Sequence, residues 1–419
     1  MNRNINLYPW YVALFGATAW TPIFFLYFSQ HLSLDQVLLL EAIYYASVVI
    51  IEVPSGYFSD VMGRRPTLLI STLAMGLSYL FFFSGTTFGI FAIAQVLLAI
   101  GFAFQSGTDT SFHFDSLARL GRTDEYGERE AIAGRNSLVA RAAAIFLGGL
   151  AGLVSLRLGY LLSLLTMAGA FAIVLQFREP AQQDSDQEHA DESHALREKT
   201  NEPSRTPQPL GPLTQLRLCL GYTRHPVLAW LMAYVILMTI LDHVPYEFYQ
   251  PYIELLGERG GFFAGRTPFI SGIIMGLSTL IGAWAASRSI WLRDKLGLGG
   301  VLLLSVAIQT GSIAAMGLGL NVLVVLLVLL RTIPFAMANA PLRAAIAPLV
   351  PQAQRATYFS LQSLFGRLAF SGTLLILSTT TVGAAADWAT LSSMLQSLAL
   401  LGTVGLVGLL LTRHALTGS

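Results

Sequence analysis

Charged residues are scarce in this chain. Asp, Glu, Lys and Arg make up 12% of its 419 residues, whereas soluble domains carry about 25%. A water-soluble fold of this length could not cover its surface with so few charges. The formal net charge is +1, so no overall field attracts nucleic acid or an acidic partner. We therefore expect the chain to lie in a lipid bilayer and to bind no nucleic acid.

Cysteine and enzyme motifs are also missing. Cys219 is the single cysteine, which excludes an internal disulfide and a metal site built from several cysteines. The sequence contains no phosphate-binding G-x-x-x-x-G-K-S/T loop, no spacing of His and acidic residues typical of a metal enzyme, and no legible Ser–His–Asp set. It predicts no catalytic residue, no metal and no cofactor. The polar start, residues 1–7, is too short for a cleaved signal peptide, so the first apolar run is expected to stay as a membrane helix.

Long apolar runs recur along the chain instead. A helix needs about 20 apolar residues to cross the hydrocarbon core, and twelve runs approach that length. They lie at roughly 9–30, 35–59, 67–86, 88–114, 134–156, 158–177, 227–250, 269–291, 299–318, 320–345, 357–380 and 388–412. We predict an all-α membrane protein with twelve transmembrane helices and both chain ends on the same side.

The basic residues indicate which side that is. Nineteen of the 25 Lys and Arg fall on one set of loops and ends, whereas the opposite loops hold only Arg157, Arg259 and Arg266. Cytoplasmic loops carry such an excess of Lys and Arg. Both termini are therefore expected in the cytoplasm, and the protein in the plasma membrane, which in a bacterium is the inner membrane.

The middle of the chain separates six spans from six. Residues 178–212 are polar, charged and contain prolines, and such a composition predicts a flexible cytoplasmic linker. Residues 213–225 alternate Leu with basic residues, and we expect them to lie along the membrane surface. The result is two pseudo-symmetric six-helix halves, residues 1–177 and 213–419, an organisation found in many secondary transporters.

A short motif stands at the end of the second span. Gly56, Asp60, Gly63, Arg64 and Arg65 follow the spacing G-x-x-x-D-x-x-G-R-R/K. This resembles the signature of the major facilitator superfamily in the loop between its second and third helices. The resemblance implies that family's twelve-helix fold and a loop that locks the cytoplasmic side when the cavity opens outward. The alternative is that the two arginines only orient the chain.

Other family signatures are absent. The equivalent loop of the second half, residues 287–295, keeps its charges but not the spacing. The fourth span has Gln95 near the place where drug–proton exchangers usually carry Arg, and the fifth lacks their Gly-Pro pair. These departures weaken the assignment as an exporter and leave the subfamily open.

One group of ionisable residues lies within the first half, near the cytoplasmic boundary. It contains Glu52, Asp109, His113 and Arg141. A charge within a span is costly and marks a functional candidate. We predict that Glu52 or Asp109 pairs directly with Arg141. The group is either a structural ion pair or a protonatable gate cluster.

A second group lies towards the outer side. Asp242, His243 and Glu247 follow one another on the seventh span, at a depth similar to that of Glu41 on the second. Pro245 is expected to break the seventh helix and Pro251 to end it. The group is either part of an outer gate or cavity, or simply a hydrated helix end.

Arg331 is the strongest single candidate for a binding residue. It lies near the middle of the tenth span, and the family resemblance implies that helices one, four, seven and ten line the central cavity. A guanidinium stays charged, so it needs a buried acid or an anionic ligand group. A permanent pair with Asp242 or Glu247 is the alternative. Arg367 on the eleventh span is a residue of the same kind.

These observations predict a secondary active transporter that works by alternating access on a small organic solute. Protons are the expected coupling ion, and the expected unit is a monomer in the lipid bilayer. The aromatic-rich first span favours efflux of an amphipathic compound. The buried arginines favour the alternative, a proton symporter that imports a polar or anionic nutrient. A non-transporting receptor or scaffold would need a large soluble appendage, which a linker of this length does not provide.

Overall fold

The computed structural model describes residues 1–180 and 218–416, except for the side chains of residues 53, 60, 352, 353 and 356. The described backbone is helical and contains no strand. Of the predicted linker, only residues 178–180 are described. The first residues of the predicted surface segment, 213–217, also lie outside the described residues, and its residues 218–222 are helical.

The helices form twelve membrane-length rods, which we call spans 1 to 12. Spans 1 to 6 are Asn2–Gly16 with Phe24–Ser29, Leu34–Met62, Arg64–Ser84, Phe88–Gln105 with Thr108–Ala118, Tyr126–Gly152, and Arg157–Gln176. Spans 7 to 12 are Pro226–Glu258, Thr267–Ser287, Ser289–Leu318, Val322–Val328 with Ile333–Ile346, Gln352–Thr380, and Trp388–Leu411. We call the side that carries both chain ends the terminal side and the opposite one the distal side.

Ten of the rods in the described part of the chain are both long and apolar enough to cross a membrane by composition alone. Span 1 does not qualify because residues 17–23 divide it into helices of 15 and 6 residues. Span 5 does not qualify because Arg135 and Arg141 dilute its apolar stretch. Both pack within the bundle: span 1 contacts spans 5 and 6, and span 5 contacts span 8 of the other half. These two spans are therefore held at membrane depth by contacts with other helices and not by their apolar composition alone.

Three spans contain non-helical interruptions at membrane depth. Span 1 is interrupted at residues 17–23, span 4 around Gly107, and span 10 at residues 329–332. Gly107 has φ +76°, a conformation in which glycine is favoured. Span 7 differs, because its helix runs unbroken past Pro245 and Pro251 to Glu258. The predicted break and end at these prolines are therefore wrong. Membrane helices tolerate proline where neighbouring groups satisfy the freed backbone.

The two halves meet along spans 2 and 11 and along spans 5 and 8. Towards the distal side, Ser371 donates to the Ala42 carbonyl (2.9 Å) and Ser378 to the Asp35 carbonyl (2.8 Å). Span 5 approaches span 8 so closely that a Cβ on Gly149 would lie 2.7 Å from the Pro268 carbonyl oxygen. Small residues permit this approach between membrane helices.

Gln250 on span 7 joins the halves at the interruption of span 1. This side chain is fully buried. Its Oε1 accepts hydrogen bonds from the backbone N–H groups of Phe25 (3.1 Å) and Leu26 (3.4 Å), and its Nε2 donates to the Thr21 carbonyl (3.2 Å). The glutamine therefore satisfies backbone groups that the broken helix leaves free. Together with the contacts of Ser371, Ser378 and Gly149, these bonds join the two halves on the distal side, and we call this joined arrangement the closed distal side.

Replacing Gln250 by Leu is expected to favour opening of the distal side. The substitution replaces the amide by an apolar side chain of similar size. It removes four hydrogen bonds, three of them to span 1 and one to the Tyr249 hydroxyl, each contributing about 1 kcal/mol. We expect the distal-open population to rise at least about tenfold. Spin labels at Thr86→Cys and Ala264→Cys, in a Cys219→Ser background, would report it as a longer inter-label distance.

The matched control is Gln396→Leu. Gln396 bonds to Gly317 and Ser392 within the second half, so its loss should leave the distance distribution unchanged. Identical distributions for Gln250→Leu and the unsubstituted protein would show that Gln250 does not hold the distal side closed.

Candidate functional site

A cavity of about 560 Å³ lies between the two halves, within the size range of sites for small organic ligands. The interruption of span 1 turns Thr18, Trp20 and Thr21 towards it. One wall is aromatic. Its rings are those of Trp20, Phe24, Phe28, Tyr44, Tyr45, Phe82, Phe102, Tyr160 and Tyr246.

Arg331 lines this cavity from the interruption of span 10. Its guanidinium carbon lies 5.4 Å from the centroid of the Tyr246 ring, a cation–π distance. The next residue, Thr332, donates to the Ser278 carbonyl (2.6 Å) and so attaches the interrupted segment to span 8. The Nε of Arg331 is buried without a hydrogen-bond partner.

The predicted permanent partners of Arg331 are close but not bound. Among the described residues, no carboxylate oxygen lies within 4.0 Å of the guanidinium. Asp242 and Glu247 are near enough to interact with it electrostatically. The alternative of a closed ion pair with either acid is therefore wrong for this conformation.

Arg141 also lines the cavity, from span 5 of the other half. The prediction that it pairs with Glu52 or Asp109 is wrong, because neither acid lies within 4.0 Å of it. Glu52 instead pairs with Arg367 of span 11 at 2.8 Å. Similar depth within one half does not identify the partner, because spans 2 and 11 of the two halves meet and the ion pair of Glu52 forms between them.

Two acids near the distal end of the cavity are deeply enclosed. Glu247 is 1% exposed; its Oε1 accepts a hydrogen bond from the Tyr45 hydroxyl (3.1 Å) of the other half, and its Oε2 has no partner. Glu41 is 7% exposed and accepts one from Gln95 (2.9 Å). This burial contradicts the alternative of a hydrated helix end. The resemblance had drawn attention to Gln95, but only the fold shows that it holds Glu41.

Asp242 and His243 line the cavity beside these acids. The Nδ1 of His243 lies 2.7 Å from the Thr239 carbonyl oxygen one turn earlier, and its ring stands edge-on to Tyr45 at 5.3 Å. The carbonyl accepts, so Nδ1 carries a proton in this arrangement. The imidazole thus contacts both halves.

Asp109 and His113 lie outside the cavity, so the predicted four-residue cluster is divided. Asp109 accepts hydrogen bonds from the Thr110 backbone N–H (2.8 Å) and from Gln105. His113 lies 2.7 Å from Glu130 of span 5. No spacing in the sequence joins residues 113 and 130, so only the fold identifies this pair.

The segment leading into span 5 is held by a charge cluster on the terminal side. Arg122 and Arg129 contact Glu125 at 2.5 Å and 2.7 Å. Hydrogen bonds from these two guanidiniums lower the pKa of Glu125 to about 2. The cluster keeps its charges across the physiological pH range and fixes the start of span 5.

The loop motif sits at the junction of spans 2 and 3. Gly63 has φ +98°, and a Cβ there would lie 2.9 Å from a carboxylate oxygen of Glu179. That carboxylate accepts hydrogen bonds from the backbone N–H groups of Arg64 and Arg65, both at 2.7 Å. A negative charge at a helix N-terminus is stabilising. Sequence reasoning had placed Glu179 in the linker and missed this role.

Two other motif residues, Arg64 and Arg65, attach the loop to the first half, whereas Gly56 faces open space. The guanidinium of Arg64 contacts Ser59 (2.9 Å) and Asp115 (3.4 Å), and Arg65 donates to the Leu175 carbonyl (3.1 Å). A Cβ on Gly56 would meet no atom of the described residues within 4 Å, so no described helix approaches there in this conformation. The side chain of Asp60 lies outside the described residues.

Comparison with known proteins identifies the fold. The family model described as Major Facilitator Superfamily matches residues 11–374. The nucleoside transporter NupG has a TM-score of 0.74 at 12% identity, with 98% of each chain covered. The peptide transporter POT in complex with sulfate has 0.64 at 14% identity, covering 97% of this chain and 93% of that one.

A D-xylose-proton symporter is similar as well, with a TM-score of 0.62, 14% identity and coverage of 96% of this chain and 97% of that one. A search of curated protein sequences found no match. The family match spans most of the chain and agrees with the loop motif. The chain therefore belongs to the Major Facilitator Superfamily: it is a membrane transporter and not an enzyme, and the all-α, twelve-span fold predicted from its sequence is confirmed.

Proposed function

We propose that this transporter takes up a small organic solute with an anionic group, coupled to protons, by alternating access. The observation that carries the proposal is the pair Arg141 and Arg331. The two guanidiniums line one cavity from opposite halves, and no carboxylate of the described chain lies within 4.0 Å of either. A guanidinium stays charged, and an uncompensated charge at membrane depth is costly. An anionic group of the solute would compensate both.

The rest of the cavity suggests the other part of the solute. The aromatic wall suits an apolar or planar portion, held by ring stacking. NupG, POT and the D-xylose-proton symporter are named as transporters of a nucleoside, a peptide and a sugar. These names favour import of a polar nutrient over efflux. Efflux of an amphipathic compound is the second candidate, and only the aromatic wall favours it.

The orientation proposed is with the terminal side in the cytoplasm, because the excess of Lys and Arg lies on that side. The closed distal side would then face outward, and this conformation would be inward-facing. The protein would be a multi-pass protein of the plasma membrane, or bacterial inner membrane. We also propose a monomer as the working unit.

We place the transported proton on Glu247. An ionised carboxylate enclosed at this depth needs a cationic partner, and no cation of the described chain lies within 4.0 Å of it. A neutral acid can keep its Oε1 as the acceptor for Tyr45 and carry the proton on Oε2. Because Tyr45 belongs to the other half, the protonated acid would favour the closed distal side. Glu41, on the same side of the cavity, is the next acid that could receive the proton.

The junction of spans 2 and 3 is proposed as the cytoplasmic gate. Its residues Gly56, Asp60, Arg64 and Arg65 match the family signature, and Glu179 fixes the start of span 3 beside them. Open space next to Gly56 is expected in a conformation in which the two halves are separated on the cytoplasmic side. When the cytoplasmic side closes, a helix of the second half would occupy that space.

Arg331→Ala is expected to abolish uptake of the transported solute. Arg331→Lys should fail as well if a planar anionic group is bound by the guanidinium fork, because Lys lacks that geometry. The measurement is initial uptake into proteoliposomes, using a solute first found by thermal shift among nucleotides, dipeptides, sugar phosphates and aromatic carboxylates. Arg343→Ala is the control, since Arg343 lies on the same span over the Phe359 ring, outside the cavity lining. Normal uptake by Arg331→Ala at every pH would overturn the proposal.

Glu247→Gln is expected to uncouple transport from protons. A permanently neutral amide can still accept a hydrogen bond from Tyr45 but carries no proton. Accumulation driven by a pH gradient should be lost, while counterflow of labelled solute, which needs no net proton movement, continues. Glu254→Gln, an exposed acid of the same span, should behave as the unsubstituted protein. Full gradient-driven accumulation by Glu247→Gln would assign the proton to another group.

Glu179→Gln is expected to lower the thermal unfolding midpoint of the purified protein and to slow transport. The substitution removes the negative charge at the N-terminus of span 3, a contribution of about 1–2 kcal/mol. Glu128→Gln tests a second terminal-side acid that has no described contact at that helix end. If both variants unfold at the same temperature as the unsubstituted protein, Glu179 does not fix the junction.

A further inference from the structure

The junction of spans 8 and 9 carries a short helical segment that lies outside the cavity lining. Ser289–Leu318 is 30 residues long, and its backbone leaves helical geometry at Gly297 (φ 72°, ψ 167°). Residues 298–318 alone rise about 31 Å, enough for the hydrocarbon core. Residues 289–296 therefore lie outside that core, on the terminal side of the bundle.

This segment exposes large apolar side chains although it lies beyond the core. Trp291 is 56% exposed, and Ile290 and Leu296 are also exposed. Trp284, at the end of span 8, is 60% exposed. Trp is enriched where a helix meets the membrane–water interface, so these rings are placed at the level of the lipid headgroups.

Two cations are held against the exposed indole rings. The guanidinium carbon of Arg288 lies 5.8 Å from the Trp284 ring centroid, and Nζ of Lys295 lies 5.0 Å from that of Trp291. In both pairs the cation follows the Trp by four residues, the spacing that places side chains on one helix face. The same Trp–cation unit thus occurs on both sides of the turn at Arg288.

The charges of the segment are not balanced by its own acid. Asp294 contacts Arg293 at 2.7 Å, which accounts for one of the three cations. Arg288 and Lys295 have no ion pair to a described residue. An exposed apolar edge with two cations beside it complements a lipid that has acyl chains and a negatively charged headgroup.

We propose that residues 284–296 form a binding site for an anionic phospholipid. The headgroup phosphate lies between Arg288 and Lys295, and the acyl chains lie along Trp284, Trp291 and Ile290. A soluble anion would use the cations alone and leave the indole rings in water. The apolar edge therefore favours a lipid over a free phosphate. The proposal is independent of the identity of the transported solute.

The test compares lipids on the purified, detergent-solubilised protein. Phosphatidylglycerol and phosphatidylcholine with identical acyl chains are added separately, and the unfolding midpoint is measured. Phosphatidylglycerol is expected to raise the midpoint by about 5 °C more than phosphatidylcholine. The double variant Arg288→Gln, Lys295→Gln should lose at least half of this difference. Arg266→Gln removes a cation held 5.0 Å over the Phe262 ring on the distal side and should keep it.

Native mass spectrometry of the same samples provides a second readout. The unsubstituted protein and Arg266→Gln should retain one more phosphatidylglycerol than the double variant does. Three results would overturn the proposal: an unchanged lipid difference in the double variant, an equal effect of phosphatidylcholine, or the same shift with glycerol 3-phosphate at equal concentration. The last result would assign the cations to a free anion.

Discussion

A charge at membrane depth must be compensated, and this constraint organises the protein. Glu52 and Arg367 satisfy it by pairing across the two halves. Arg331 and Arg141 do not pair with any described acid in the same way, and both line the cavity. A transporter needs both kinds of charge, those paired within the protein and those left for a ligand. A pair that is already complete holds the halves together, whereas an incomplete one leaves binding free energy for a ligand.

The interrupted spans follow from a related constraint on the backbone. Free N–H and C=O groups are tolerated at membrane depth only where they are buried in protein or line a cavity. The interruption of span 1 is satisfied by Gln250 from the other half, and that of span 10 is attached to span 8 through Thr332. Both interruptions turn cavity residues inward. The backbone groups that shape the cavity are thus bonded partly by the opposite half.

Contacts of this kind suit a protein that must open and close. Single hydrogen bonds between side chain and backbone, such as those of Gln250, Ser371 and Ser378, each contribute about 1 kcal/mol. A few of them favour one state without making it permanent. The hydrogen bond from Tyr45 to Glu247 adds another contact between the halves. In the proposed function, the proton on Glu247 lowers the cost of burying this acid in the closed state, which is the kind of bias that coupling requires.

The sequence by itself determined the number of spans, the all-α class and the family, because apolar length and a local loop motif are properties of contiguous residues. It also identified Arg331, Glu247 and Glu41 as costly charges. The sequence did not determine which residues form ion pairs with one another. Glu52 was assigned to Arg141 by depth, whereas its partner, Arg367, lies more than 300 residues away in the chain.

Only the tertiary structure decided which charges are paired. The roles of Glu179, Gln250 and Tyr45 are also visible only there. Each of these three side chains acts on a group of a distant span, and nothing in its own neighbourhood in the sequence marks it. Hydropathy and residue spacing predict which segments form helices that cross the membrane. Ion pairs and capping bonds between helices depend on how the two halves pack, and that packing is a property of the whole chain.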